Sequence, residues 1–327
     1  MQLDLNKNKD WLPSKFLPGI VSVIIPAYNR ARLLEEAIQS VVDQRYRPVE
    51  CIVVDDGSTD GTRQIVESFI ANNNECFKVK YLYQENRGSQ AARNTGTVES
   101  QGEFIQYLDS DDLLHPEKLT KQVNFLQQNM EFDGVFGDWK KGTVSENEVI
   151  KSHESTDMIS QFLTERCIHT LSFLMRRNIV QKIGAWDLNI KRNQEIDFQV
   201  RGLLLGAKYK YLEQDCGLWR IHDGARIINS TGSYDIIRFY ELWENRLKDS
   251  NFLSDKITAG ISNTLFWAAT SNRKTNNEDR IKLLTEAIRF NPSIGFYNSP
   301  KMKLLSGLLG KRTTLSLWWK WFKHHVH

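Results

Sequence analysis

The first 130 residues repeat one pattern, in which a short apolar run precedes a segment with apolar residues at helical spacing. Residues 21–26 form a continuous apolar run typical of a buried parallel strand, and residues 33–44 then carry apolar positions three to four apart. Three more apolar runs precede helical patterns, at 50–55, 78–84 and 102–108. Because strands that alternate with helices pair in parallel, the pattern predicts an α/β fold on a parallel sheet.

The pattern changes twice further along the chain. Beyond residue 133 it predicts short strands, a helix over about 198–205, and a hairpin over 208–222 with a tight turn at 215–217. From about Tyr234 onward it is helical, with a stripe of Ile236, Tyr240 and Trp243. We therefore predict a catalytic domain over 1–230 and a helical C-terminal region over 231–327.

Charge and cysteine content exclude several classes of protein. The net charge is only +3 and the basic residues are spread along the chain, so we expect no nucleic-acid partner. The four cysteines lie far apart without a CxxC pair, which disfavours a disulfide framework. With no signal-peptide pattern and no apolar window of about 18 residues, we expect a cytoplasmic protein.

The predicted parallel strands bring polar side chains to one edge of the sheet, where open α/β sheets bind ligands. The residues expected there are Tyr28, Asn29, Asp55, Asp56, Asp109, Asp111 and Asp112. The last three carboxylates lie within four residues and repel one another unless a cation neutralises them. A divalent metal ion does this and also bridges a diphosphate. A solvated turn or a helix N-cap is the alternative interpretation.

A second acidic segment, residues 55–61 (DDGSTDG), follows the second predicted strand. An acid there can accept the N–H of a pyrimidine or the hydroxyls of a ribose, although a plain glycine turn gives the same pattern. The chain contains neither a G-x-G-x-x-G after the first strand nor a P-loop motif. The absence of both motifs disfavours NAD enzymes and P-loop NTPases. A metal ion is therefore expected to hold the phosphates of a bound nucleotide.

Four blocks in order, followed by Pro116, resemble family 2 of the glycosyltransferases: VSVIIPAYNR (21–30), VVDDGSTDGT (53–62), NRGSQAARNTG (86–96) and YLDSDD (107–112). The resemblance covers roughly residues 20–225. It implies the GT-A fold, with a Rossmann-like nucleotide-binding half and an acceptor half, followed here by the helical appendage. It also implies a nucleotide-sugar donor, commonly a UDP-sugar, and inversion at the anomeric carbon.

The resemblance also implies roles for residues of the nucleotide-binding half, which is called the donor half below. Pro26, Tyr28 and Asp56 would contact the nucleoside, and Arg93 would lie near the base or the diphosphate. Asp109 and Asp111 match the family's DxD motif, which touches ribose and metal.

The metal ion, Mn²⁺ or Mg²⁺, is expected at the same loop. Asp112 is the adjacent candidate ligand, and the choice between Asp111 and Asp112 stays open. The segment 219–222 (WRIH) resembles one that presents a histidine to the metal or the diphosphate. His222 is therefore a third candidate ligand, with a structural role as the alternative.

The family places its general base on a short acidic motif, which aligns here with residues 194–198 (QEIDF). The base position falls on Glu195, although Gln194 replaces the usual preceding acid and Ile196 the usual aromatic residue. Asp197 is the alternative base. Either acid could instead cap the helix that follows.

The predicted function is inverting transfer of a sugar to a hydroxyl of a saccharide or lipid-linked acceptor. The basic, aromatic segment 311–327 predicts peripheral contact with the inner face of the cytoplasmic membrane, unless its tryptophans pack the helical region. A sugar-phosphate nucleotidyltransferase is the runner-up among enzymes, but residues 27–30 lack its glycine-rich basic signature. From another class, an inactive sugar-nucleotide-binding scaffold stays open because of the imperfect base motif.

Overall fold

The computed structural model of the protein describes residues 11–13, 15–165, 167–222, 233–271, 276–291, 313–314 and 317. Its strands are β1 (Leu17–Ala27), β2 (Val49–Asp55), β3 (Phe77–Tyr83), β4 (Gly102–Tyr107), β5 (Leu113–Leu114), β6 (Gly134–Gly142), β7 (Asn147–Ile150), β8 (Leu174–Arg176) and β9 (Tyr209–Arg220). Its helices are α1 (Ala31–Val42), α2 (Thr62–Ile70), α3 (Ser89–Val98), α4 (Lys118–Gln128), α5 (Met158–Thr164), α6 (Arg177–Ile183), α7 (Gln194–Leu204), α8 (Ser233–Asp249), α9 (Asp255–Ser271) and α10 (Asn277–Phe290).

The first half of the chain forms the predicted parallel sheet. Strand β1 pairs in parallel with β2 and β4, and β2 pairs in parallel with β3. Strand β1 is buried from Val21 to Ala27, which explains why this segment is apolar except for Ser22. Helix α3 lies against β1 and β2 so closely that a Cβ on Gly96 would meet Ile24 and Val54. The edge formed by the carboxyl ends of these strands carries the acidic segments.

The second half extends the same sheet with mixed strands. Among the described residues the strand order is β3-β2-β1-β4-β8-β6-β9-β5, and β7 pairs with β6. The predicted hairpin over 208–222 is wrong, because β9 is one strand that runs parallel to β6. The register shifts near Asp138, and Gly217 has φ +147° where the backbone passes β5. The turn residues therefore form an irregularity in a long strand that pairs with β6 on one side and with β5 on the other.

The helical C-terminal region packs onto the second half of the sheet. Tyr240 and Trp243 of α8 are buried in one hydrophobic cluster with Phe136 of β6 and Phe162 of α5. The helices predicted after residue 231 are thus present and share a core with the strands, while the division into two domains at residue 230 stays a prediction. None of the described helices is long and apolar enough to cross a bilayer. Of the segment 311–327, all but residues 313, 314 and 317 lie outside the described residues.

Candidate active site

The three neighbouring aspartates lie in a tight loop after β4. The backbone N–H of Asp112 donates to the carbonyl oxygen of Asp109 at 3.0 Å, which closes the turn. The side chain of Asp112 is fully buried, whereas those of Asp109 and Asp111 are 30% and 21% exposed. The loop therefore presents carboxylates both inward and toward the open edge of the sheet.

Asp109 and Asp112 converge with His169, which precedes the 3-10 turn Thr170–Ser172. One ligand atom from each of the three residues lies within 4.8 Å of the others. Oδ1 of Asp112 accepts the backbone N–H of Arg220 at 3.1 Å. Oδ2 is buried, has no hydrogen-bond partner among the described residues, and lies 3.7 Å from Nδ1 of His169. Such an orphaned carboxylate oxygen needs an explanation, and two carboxylates with an imidazole are suitable ligands for a divalent cation. The residues present thus fit a metal ion.

The charges of this cluster are strongly interdependent. Burial, together with the charges of Asp111 and Asp109, raises the pKa of Asp112 well above its usual value. Burial also opposes ionisation of Asp109, but the charge and hydrogen bond of Arg93 outweigh it and lower the pKa of Asp109. Burial lowers the pKa of His169 despite the neighbouring carboxylates, so its neutral, metal-binding form is favoured. A bound cation would relieve the repulsion felt by Asp112.

Asp111 points to a different partner. Its Oδ2 lies 2.8 Å from Nε2 of His222, just after the end of β9. The neighbouring Arg220 donates to the backbone oxygen of Asp111 and ion-pairs with Glu36 of α1 at 2.6 Å. The predicted ligands Asp111, Asp112 and His222 therefore divide between two adjacent groups: Asp112 lies with Asp109 and His169, and Asp111 pairs with His222.

Arg93 joins the two halves of the site. Its Nη2 lies 2.6 Å from a carboxylate oxygen of Asp109, and its Nη1 donates to Oε1 of Gln194 at 2.8 Å. The guanidinium carbon lies 4.6 Å from the ring centroid of Trp186. Gln194, which the sequence marked only as a departure from the family motif, is thus one contact between the donor half and helix α7.

The residues predicted to hold the nucleoside lie at the ends of β1 and β2. Pro26 is buried in β1, and Tyr28 just beyond it is 50% exposed. The carboxylate of Asp56 is buried and accepts hydrogen bonds from Gln84 and from the backbone N–H groups of Arg87 and Gly88. Asp56 therefore fixes the loop that leads into α3, and Tyr28 offers an exposed ring above the edge.

The two candidate bases on α7 have opposite environments. Asp197 is 1% exposed and ion-pairs with Arg201 at 2.9 Å and with Arg246 at 2.5 Å. Glu195 is half-buried and forms no hydrogen bond or ion pair with another described residue. It lies close enough to His169 for its charge to act on the imidazole. Of these two acids, only Glu195 has a carboxylate that forms no hydrogen bond or ion pair within the described part of the chain.

Sequence reasoning missed His169 and Gln194 as site residues. His169 lies in no recognised motif, and Gln194 stands in the base motif only as a departure from it. Each reaches the site through a contact with a residue far away in sequence. The one available signal for His169 was an ionisable ring inside a stretch without other charged residues, 167–174. That signal more often indicates a structural histidine.

A parallel sheet, a mixed second half and an acidic loop at the carboxyl edge are the arrangement of glycosyltransferases of the GT-A class. The family model "Glycosyl transferase family 2" matches residues 22–184. An uncharacterized glycosyltransferase of Rickettsia typhi is 30% identical over 237 residues, which cover 70% of this chain and 72% of that relative. The chain belongs to glycosyl transferase family 2.

Solved structures share the fold at low sequence identity. Staphylococcus aureus TarS 1–349 in complex with UDP-GlcNAc has a TM-score of 0.53 and 22% identity, over 85% of this chain and 74% of that one. The mannosyltransferase PcManGT of Pyrobaculum calidifontis, in complex with GDP-Man and Mn²⁺, has a TM-score of 0.51 and 15% identity, over 91% and 86%. These likenesses establish the fold of this chain.

Proposed function

We propose that the protein catalyses the metal-dependent, inverting transfer of a sugar from a UDP-sugar to a hydroxyl of a saccharide or lipid-linked saccharide. The observation that carries this proposal is the buried Oδ2 of Asp112, which lies beside Asp109 and His169 and has no hydrogen-bond partner in the part of the chain that the structure describes. It lies on the loop at the sheet edge where nucleotides bind in such folds. The UDP-GlcNAc complex of TarS and the Mn²⁺ complex of PcManGT support a nucleotide sugar and a divalent ion as ligands of this fold.

In this proposal Asp109, Asp112 and His169 hold Mn²⁺ or Mg²⁺, and Asp111 with His222 lies beside them. When bound, the ion supplies Lewis-acid stabilisation of the leaving diphosphate. Arg93, already paired with Asp109, adds a guanidinium that attracts the phosphates. Pro26, Tyr28 and the loop fixed by Asp56 form the nucleoside end of the donor site.

Glu195 is the proposed general base. Its carboxylate takes the proton of the acceptor hydroxyl as that oxygen forms a bond to the anomeric carbon and the bond to the diphosphate breaks. The product sugar is inverted, and no covalent enzyme intermediate forms. The ion pairs of Asp197 with Arg201 and Arg246 leave it without a free oxygen for this role, which supports Glu195 over Asp197.

The acceptor and the cellular site follow from the same proposal. A lipid-linked saccharide acceptor would bring the protein to the inner face of the cytoplasmic membrane, where the basic and aromatic segment 311–327 would make peripheral contact. Co-sedimentation with anionic vesicles tests this contact. Equal pelleting of the full chain and a chain lacking 311–327 would contradict it.

The test of the proposed reaction is UDP release from a panel of UDP-sugars in the presence of Mn²⁺, with and without saccharide acceptors. We expect one UDP-sugar to be turned over, chelator to stop turnover, and the product to have the inverted anomeric configuration by NMR. A folded protein that binds a UDP-sugar but never turns it over would support the scaffold alternative. Retention of configuration would reject the single-displacement mechanism.

A further inference from the structure

Helix α8 of the C-terminal region contacts the helix that carries Glu195. Arg246, on α8, is 14% exposed, and its Nη1 lies 2.5 Å from Oδ1 of Asp197, two residues after Glu195 on α7. Its Nη2 lies 3.5 Å from Oδ2 of Asp187, in the loop that precedes α7. One guanidinium thus bridges the first turn of α7 and the loop that leads into it.

A second arginine fixes the other side of the same helix. Arg201 of α7 ion-pairs with Oδ2 of Asp197 at 2.9 Å and donates to the carbonyl oxygens of Ile183 and Ala185 at 2.8 and 3.0 Å. The two arginines face two acids, Asp187 and Asp197, so the formal charges of the four side chains balance. Loss of Arg246 would leave two carboxylates facing one guanidinium.

The loop between α6 and α7, residues 184–193, also contacts the donor half. Trp186 donates its backbone N–H to Oδ1 of Asn94 on α3 at 2.7 Å, and Asn94 Nδ2 donates back to the carbonyl oxygen of Trp186 at 3.0 Å. The ring of Trp186 stacks on Phe198 of α7 with centroids 4.5 Å apart and lies under the guanidinium of Arg93. The start of α7 is therefore held between the donor half on one side and α8 on the other.

We infer that Arg246 is a positioning residue, through which the C-terminal helical region holds the first turn of α7 so that the Glu195 carboxylate faces the donor site. Arg246 acts through Asp197 and Asp187 and touches neither donor nor acceptor. The inference rests on the proposed function, since it assigns a consequence to the position of the proposed base. It gives the helical region a part in the reaction in addition to its packing.

The test compares Arg246→Met, which removes the charge, with Arg246→Lys, which keeps the charge but cannot reach both acids. Small displacements of a reacting group cost up to about 100-fold in rate, so we expect Arg246→Met to lower the kcat of transfer by about 10- to 100-fold. The KM for the donor should stay within about twofold, because the donor site lies on other elements. Arg246→Lys should recover part of kcat.

Arg289→Met is the matched control. Arg289 lies on α10 and ion-pairs with Glu244 of α8 and Glu286, but it makes no ion pair with α7 or the loop before it. Its removal should leave kcat unchanged. If Arg246→Met folds and keeps the kcat of the wild type, or if kcat and donor KM change together as in a generally loosened protein, the inference is wrong.

Amide hydrogen exchange supplies a readout that does not depend on activity. We expect Arg246→Met to speed exchange at residues 193–199 selectively, with the rest of the sheet unchanged, and Arg289→Met to leave this segment as in the wild type. Unchanged exchange at 193–199 would overturn the inference even if the wild type has no transferase activity. If Arg246→Met does not fold, Asp187→Asn removes the more exposed half of the bridge, and the same selective changes in exchange and kcat are expected.

Discussion

Oδ2 of Asp112 lies 3.7 Å from Nδ1 of His169, a residue 57 positions further along the chain. This oxygen is fully buried and has no hydrogen-bond partner among the residues that the structure describes. An unpaired carboxylate oxygen in this position is costly unless a cation or a proton occupies it. This relationship ties the acidic loop to the second half of the sheet. It also means that the proposed metal site can be tested at His169, a residue outside the acidic loop.

Substitution of His169 tests the metal ligands. We expect His169→Ala to weaken Mn²⁺-dependent UDP binding by about 10- to 100-fold, because the cluster loses its nitrogen ligand. Isothermal titration with UDP at fixed Mn²⁺ measures this. His153→Ala, which removes an exposed histidine paired with Glu165, is the control. Wild-type affinity in His169→Ala would exclude His169 from the metal site.

The two acids of α7 should separate catalysis from stability. Glu195→Gln should lower kcat by about 10²- to 10⁴-fold with UDP affinity unchanged, as expected for loss of a general base. Asp197→Asn should instead destabilise the protein by about 3–5 kcal/mol, because two buried arginines lose their shared carboxylate. Steady-state kinetics and urea unfolding measure the two effects. The reverse pattern would transfer the role of base to Asp197.

Lys118 predicts a pH dependence of stability. Its Nζ is buried and donates to Gln122 at 2.6 Å, to Gln106 and to the carbonyl oxygen of Phe173 at 3.3 Å. Burial lowers the pKa of Lys118 to about 7. Because the unfolded chain keeps a proton that the folded protein has lost, the contribution of Lys118 to stability rises from about pH 7 toward its unfolded pKa of about 10.4.

Urea unfolding of the wild type and Lys118→Met between pH 6 and 10 measures this contribution. Lys118→Met should be less stable overall, since Gln106 and Gln122 lose a donor, so the informative quantity is the difference in slope with pH. The wild type should gain stability relative to the variant as pH rises above about 7. Parallel curves would mean that Lys118 is protonated in the folded protein throughout this range.

Gly96 tests the close contact between α3 and the sheet. A methyl group there would lie 2.5 Å from Ile24 Cγ2 and 3.1 Å from Val54 Cγ2, so Gly96→Ala should cost about 1–3 kcal/mol of unfolding free energy. Gly61→Ala, whose new methyl would meet only Ala31 at 3.7 Å, should change it by less than about 0.5 kcal/mol. Equal effects of the two substitutions in urea unfolding would contradict the packing.

The donor half could be predicted from sequence because its determinants are local. The strand at residues 21–26 is apolar on both faces, each helix follows its strand directly, and parallel pairing brings the strand ends to one edge. The acidic loop after β4 follows from the same local pattern.

The acceptor half depends on contacts between residues far apart in sequence. Strand β9 was mistaken for a hairpin because Asp215 and Gly217 have turn chemistry, while its pairing with β6 is not visible in a local window. His169 reaches Asp112, and Asp197 reaches Arg246, through folding of the whole chain. Pattern reading alone therefore left Asp197 as an alternative base and did not find His169.

The central claim is that a divalent ion held at Asp112 binds the diphosphate of the donor. Isothermal titration of UDP into wild type and Asp112→Asn, each with Mn²⁺ and with chelator, tests it directly. We predict binding by the wild type with Mn²⁺, loss of that binding with chelator, and affinity about 10- to 100-fold weaker in Asp112→Asn. Equal UDP affinity in all four titrations, or no binding by the folded wild type, would contradict it.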